Sequence, residues 1–206
     1  PGWLPTPRNR EMKRLIQVAD ELLQPIIEER RAAGTDKGDV LSMLLLAQQA
    51  DQTGILTDHQ VRNEINNLFA AGYEVTGNTL AFTLYLITQQ SMVEERLRQE
   101  LDGVLGQRQI TVEDLPALPY LEMVIKESMR LLPVTTVVAR QTVAAIQLDG
   151  YVIPKNQTVL VAPWTLHRHP VYFSRPEQFD PDRFHAERRE TIHKQAYIPF
   201  VTGPRV

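Results

Sequence analysis

The chain has 206 residues, 43% of them hydrophobic and 23% charged, with a formal net charge of −3. That balance fits one globular domain or a large piece of one, and it lacks the basic footprint of a nucleic-acid binder. There is no cysteine, which excludes disulfides, thiolate metal ligands and cysteine nucleophiles within these residues. No apolar run reaches membrane-spanning length. The chain opens Pro1-Gly2-Trp3, without a methionine or a signal-peptide pattern. This start is therefore not expected to be a native N-terminus. Membrane attachment stays open, and a cytoplasmic location is the expectation.

Pro5 and Pro7 lead into a helix expected over about residues 9–33, with Met12, Leu15, Ile16, Ala19, Leu22, Leu23, Ile26 and Ile27 as its apolar stripe. Pro25 predicts a kink in it and Gly34 a stop. Asp39 is placed to cap a short helix reaching about Ala50. The next apolar positions run from Val61 to Ile87 in steps of three and four, predicting one continuous helix from Thr57 to Gln90. Thr57 and Gln60 form a capping box at its start. Leu80 to Ile87 is apolar almost all round, the pattern of a helix buried on every side. Its middle, Ala71-Gly72-Tyr73-Glu74-Val75-Thr76, carries a glycine and a carboxylate, a poor structural choice in a buried helix and a plausible functional one.

Ser91 and Glu94 suggest a second capping box, opening a charged amphipathic helix that ends near Gly106. One short helical turn is expected at Thr111 to Pro116. A further helix runs from Pro119 to Leu132, where Pro133 stops it. Val134 to Ala162 is rich in β-branched residues and broken by Asp149-Gly150 and Pro154-Lys155-Asn156, which predicts three short strands. From Pro163 onward prolines and aromatics dominate, reading as an ordered, irregular meander. The fold class is mainly α with a small β region, α+β.

Glu127 and Arg130 are three apart on a helix and can pair, but both lie opposite the apolar stripe. By spacing alone they are an exposed ion pair of about 0.2–0.5 kcal/mol. Glu74 shares a face with Asn67, Ala70, Gly77 and Ala81, small residues that leave room for a flat ligand. Taken by itself, it reads better as a solvent-facing glutamate. His167 and His169 would share one face of a strand, yet no third ligand lies at a recognisable spacing.

Taken in order, six stretches resemble the C-terminal half of a cytochrome P450, over essentially the whole chain. Residues 71–76 are similar to the oxygen-activation motif of that family's long I helix. Lys126-Glu127-Ser128-Met129-Arg130 looks like its K helix. Residues 139–141 with 149–154 resemble the following β-region. His167-Arg168-His169-Pro170, residues 179–184 and residues 199–206 resemble the meander and the start of the haem-binding loop. On spacing alone the whole would stop at a helical domain with a carboxylate in its central helix.

The resemblance implies a haem-dependent monooxygenase binding haem b. Glu74 and Thr76 would be catalytic, on the motif that also holds Ala71, Gly72 and Val75. Arg140 and Arg205 would meet the haem propionates. It also implies a buried structural triad of Glu127, Arg130 and Arg183. Electrons would come from a redox partner, a ferredoxin or a flavoprotein reductase, and the substrate would be small and apolar.

Two departures stand out. The resemblance would put the family's axial cysteine just after Val206, so residues 1–206 are expected to be a partial domain with no metal ligand of their own and no turnover. Val75 stands where the family pattern has a threonine, and valine cannot donate a hydrogen bond. That substitution favours a second reading, a non-oxygenating isomerase, dehydratase or ligand-binding relic on the same scaffold. A plain helical interaction module would explain none of the six stretches.

Overall fold

Thr6 accepts the Asn9 amide on its hydroxyl and starts α1 (Pro7–Ala33), with Pro7 at the first position, where its missing N–H has no partner to lose. Pro25 lies inside this 27-residue helix without ending it, and Gly34 closes it in the left-handed conformation at φ 59°. The computed structural model describes residues 4–202, in two compact units, Pro1–Glu74 and Val75–Val206.

In the first unit Asp39 accepts the Ser42 amide and caps α2 (Val40–Ala50). The Thr57–Gln60 box forms in both directions at the start of α3 (Asp58–Thr88), whose first half belongs to this unit. The core is small: Ile27, Leu45 and Val61, with Leu23, Leu41 and Ile65 against them. Most of the α1 stripe stays outside it. Met12, Leu15, Ile16, Leu22 and Ile26 are more than half exposed. The covering apolar residues come from α2, the start of α3 and the turn between them, and they reach only the last turns of α1.

In the second unit α3 continues to Thr88. Here the expectation of burial on every side fails. Thr83 and Ile87 are buried, but Leu80, Leu84 and Tyr85 are 59, 54 and 59% exposed. One side of the helix packs into the core, and the described residues supply no layer for the other. The Ser91–Glu94 box also fails. Gln90 is the cap residue of α4 (Ser91–Leu105), and its carbonyl accepts the Val93 and Glu94 amides. Glu94 is instead drawn forward to Arg98 at 2.7 Å, a charged partner one turn on. A capping box does form further along, where Thr111 and Asp114 open a 3₁₀ turn over Val112–Ala117.

α5 (Pro119–Leu131) starts without a cap of its own. Glu100 of α4 does that work from outside: its two carboxylate oxygens take the Tyr120 and Leu121 amides at 2.7 and 2.9 Å. A carboxylate on exposed helix donors satisfies them and complements the helix dipole. Glu100→Ala is therefore expected to lower stability by about 1 kcal/mol, visible as a drop of several degrees in thermal unfolding followed by circular dichroism. α5 is buried on nearly every side, against Ile87, Leu97, Phe179 and Phe184.

The β-region holds four strands rather than three. β1 (Val138–Gln141) pairs antiparallel with β4 (Thr158–Val161), and β2 (Ile146–Leu148) with β3 (Tyr151–Ile153). Asp149 and Gly150, both at positive φ, make the two-residue hairpin turn. The first apolar run divides at Thr142, whose hydroxyl donates to the Pro154 carbonyl and accepts the Gln157 amide, so the chain leaves the first ladder there. α6 (Pro163–Leu166), a 3₁₀ turn over Pro181–Phe184 and α7 (Ala186–Arg189) punctuate the meander.

Candidate functional site

Glu127 and Arg130 are both wholly buried and Arg183 is 4% exposed, so the exposed ion pair expected from helical spacing is not what forms. Helical spacing marks one apolar face of α5; the meander covers the other. Arg130 forks onto Glu127 through Nε and Nη2 at 2.7 and 2.8 Å. Its other N–H groups reach the carbonyls of His167, Pro176 and Gln178 at 2.7, 2.7 and 3.2 Å. All the donors of the guanidinium are thereby used. Glu127 Oε1 also accepts the Asp180 amide at 2.9 Å and Arg183 Nε at 3.4 Å. Arg183 in turn holds the Ser174 carbonyl at 2.8 Å. Burial lowers the Arg183 pKa, and the Glu127 charge opposes that shift. The cluster ties α5 to the meander at His167, Pro176, Gln178, Asp180 and Arg183.

Beside it, α3 presents Val75, Thr79 and Thr83 one turn apart on a single face. Thr83 is buried; its hydroxyl donates to the Thr79 carbonyl at 2.7 Å and accepts from the Ser128 hydroxyl of α5 at 2.9 Å. This pins the helix to α5. Val75 and Thr79 then line a hollow of about 160 Å³, closed by Met129, Pro133, Val134, Thr135 and the segment 199–201. Its side-chain polar groups are the hydroxyls of Thr79 and Thr135. Thr76, about 100° further round α3, is exposed and does not line it. Ala71, Gly72 and Glu74 are exposed on the same helix.

Arg140 lies exposed on β1, and its guanidinium makes one local bond to the Ala139 carbonyl at 3.0 Å. Arg205 and Val206 lie outside the described residues. The two histidines part company. His167 is buried with Nε2 on the Ile198 amide, while His169 is exposed with Nδ1 on the Val171 amide. No cluster of three or more His, Cys, Asp or Glu suited to a metal occurs among the described residues. A larger hollow of about 820 Å³ is lined by Phe184, Arg189, Glu190, His193 and Tyr197. It shares no residue with the α3 face.

The 160 Å³ hollow is smaller than the roughly 300–1,000 Å³ of a complete ligand pocket. What it supplies is one mostly apolar wall. An apolar wall and an exposed arginine with only a local partner suit the face and the carboxylate edge of a flat cofactor such as haem. Helical spacing could have found Thr79, which lies one turn beyond Val75. The Glu100 cap and the His167–Ile198 bond join residues far apart in the chain and had no signal in it.

The family model "Cytochrome P450" matches residues 2–206. The chain belongs to the cytochrome P450 family, whose members are haem-dependent. It is 38% identical over 200 residues to a Streptomyces melanosporofaciens cyclooctat-9-en-7-ol 5-monooxygenase, covering 97% of this chain and 44% of that one. It is 31% identical over 202 residues to a Streptomyces avermitilis pentalenene oxygenase, covering 98% and 45%. A solved zebra fish cytochrome P450 with progesterone matches with a TM-score of 0.87 at 30% identity, covering 100% of this chain and 48% of that one. The mainly helical α+β architecture is that of these structures. The chain spans less than half the length of these relatives.

Proposed function

We propose that the protein to which this chain belongs is a haem-dependent monooxygenase that inserts one oxygen atom from O₂ into a small apolar substrate. The observation that carries this is the α3 face at Val75 and Thr79, set against residues 199–201 across a mostly apolar hollow. The names of two relatives, for cyclooctat-9-en-7-ol and pentalenene, support an apolar substrate. Haem, when bound, supplies the oxygen-activating chemistry; the protein supplies position and protons. Arg140 and Arg205 would hold its propionates, and the axial cysteine would follow Val206. A ferredoxin or flavoprotein reductase would deliver electrons, in the cytoplasm.

Glu74 is assigned to carry protons in from solvent, with Thr76 beside it. At the hollow itself the hydroxyls able to hold a proton or a water are those of Thr79 and Thr135. Val75 fills the first position of that face with methyl groups. In the full-length protein, Thr79→Val is expected to lower product formed per oxygen consumed several-fold, and Val75→Thr to raise it. Unchanged coupling in both variants removes Thr79 from the scheme.

Val75 also favours a second reading, an isomerase, dehydratase or ligand-binding relic on the same scaffold. Oxygen consumption decides between them: no substrate-dependent uptake by the haem-loaded protein ends the monooxygenase reading.

A further inference from the structure

His167 is wholly buried and bonded in a way that the proposed chemistry does not use. Its Nε2 accepts the Ile198 backbone N–H at 2.9 Å. A ring nitrogen that accepts carries no proton, so the neutral imidazole is protonated on Nδ1. That nitrogen is buried without a hydrogen-bond partner among the described residues, and the backbone of Arg130 and Met129 near the end of α5 favours the charged ring less than burial disfavours it. The ring is clamped, stacked on Tyr197 at 5.4 Å and edge-on to Phe173 at 6.4 Å between centroids. Its own carbonyl takes Arg130 Nη1.

We infer that His167 is a positioning residue: as a neutral imidazole it holds the backbone at Ile198, setting where residues 199–201 stand at the hollow, and protonation of the ring releases that segment. Its bearing on haem rests on the monooxygenase reading; the latch itself is defined by the hydrogen bond. An imidazolium has no acceptor, so the Ile198 N–H, in a residue only 6% exposed, would be left unpaired. The new charge would also face the guanidinium groups of Arg130 and Arg168. Glu127 lies beyond Arg130 and is already engaged by Arg130, Arg183 and the Asp180 amide. Tyr197 stays neutral, since burial raises its phenol well above the usual range and its hydroxyl donates to the Lys126 carbonyl. Burial holds the His167 pKa down to about 4.

The test uses the full-length protein, with hydrogen–deuterium exchange at Ile198 corrected for intrinsic rate and haem content read by absorbance. Wild type should be protected at pH 7 and lose protection as the pH falls toward 4. His167→Gln can place an amide oxygen near the Nε2 position; it should keep the protection and lose the acid response. His167→Phe keeps the ring stacking but has no acceptor, and exchange should accelerate about tenfold or more at pH 7. Protection in His167→Phe equal to wild type, or an acid response in His167→Gln equal to wild type, overturns the proposal. Should His167→Phe fail to fold, the pH profile of His167→Gln decides. Absence of haem in every protein, wild type included, would defeat the haem reading while leaving the exchange result intact.

Discussion

Replacing Glu127 by alanine is expected to cost the Val75–Val206 unit about 3–5 kcal/mol, enough to unfold it at ordinary temperatures. The carboxylate is fully buried and is the counter-charge of two buried guanidinium groups. Its removal strands both charges, and it also frees the Asp180 amide. The carbonyls of Ser174, His167, Pro176 and Gln178 would keep their donors, but on arginines without a partner. The penalty therefore comes mainly from uncompensated charge in a low-dielectric site. Glu127→Gln separates charge from shape: its side-chain carbonyl can still accept one bond, yet the two positive charges remain. Denaturant titration followed by far-ultraviolet circular dichroism should show both variants strongly destabilised, with glutamine the milder. A glutamine variant within about 0.5 kcal/mol of wild type would mean that the cluster is not an electrostatic lock.

Acid should weaken the same unit by roughly 3 kcal/mol through His167 alone. Its folded pKa is about 4, below its ordinary value of 6.5, because burial disfavours the charged ring and Arg130 and Arg168 add repulsion. Between those two values the unfolded chain binds a proton that the folded chain refuses, so stability rises with pH across the interval. The contribution is complete above pH 6.5, falls as the pH drops, and is fully lost near pH 4. Asp114, whose pKa its bond to Arg108 lowers, adds its own loss at still lower pH, as Asp39 and Asp51 do in the first unit. The difference between wild type and His167→Gln in denaturation curves from pH 7 to 4 isolates the histidine term. Parallel pH dependences in the two proteins would remove it.

How far the chain could be read depended on the range of the interactions. The Thr57–Gln60 box, the Asp39 cap, the Gly34 stop and the Asp149-Gly150 turn form as expected because each joins residues at most four apart. The Ser91–Glu94 box did not, since Arg98 competes for the same carboxylate. Burial is the property least legible in the chain. Leu80 and Leu84 look like core residues and stand exposed, while Glu127 and Arg130 look like surface residues and are sealed. Periodicity tells which face of a helix is apolar, but not how many neighbours arrive to cover it.

The order of the six stretches was enough to identify the family, because no folding is needed to recognise it. It also located the departure at Val75. Helical spacing puts Thr79 one turn beyond Val75, but only the tertiary structure turns that face toward the hollow and leaves Thr76 off it, since that depends on how α3 is rotated against α5 by the Thr83–Ser128 bond. It alone brought His167 to Ile198, across 31 positions that carry no periodic signal. Local hydrogen bonds and helical pattern are written in neighbouring residues; rotation, coverage and protonation state are set by partners that the chain supplies from far away.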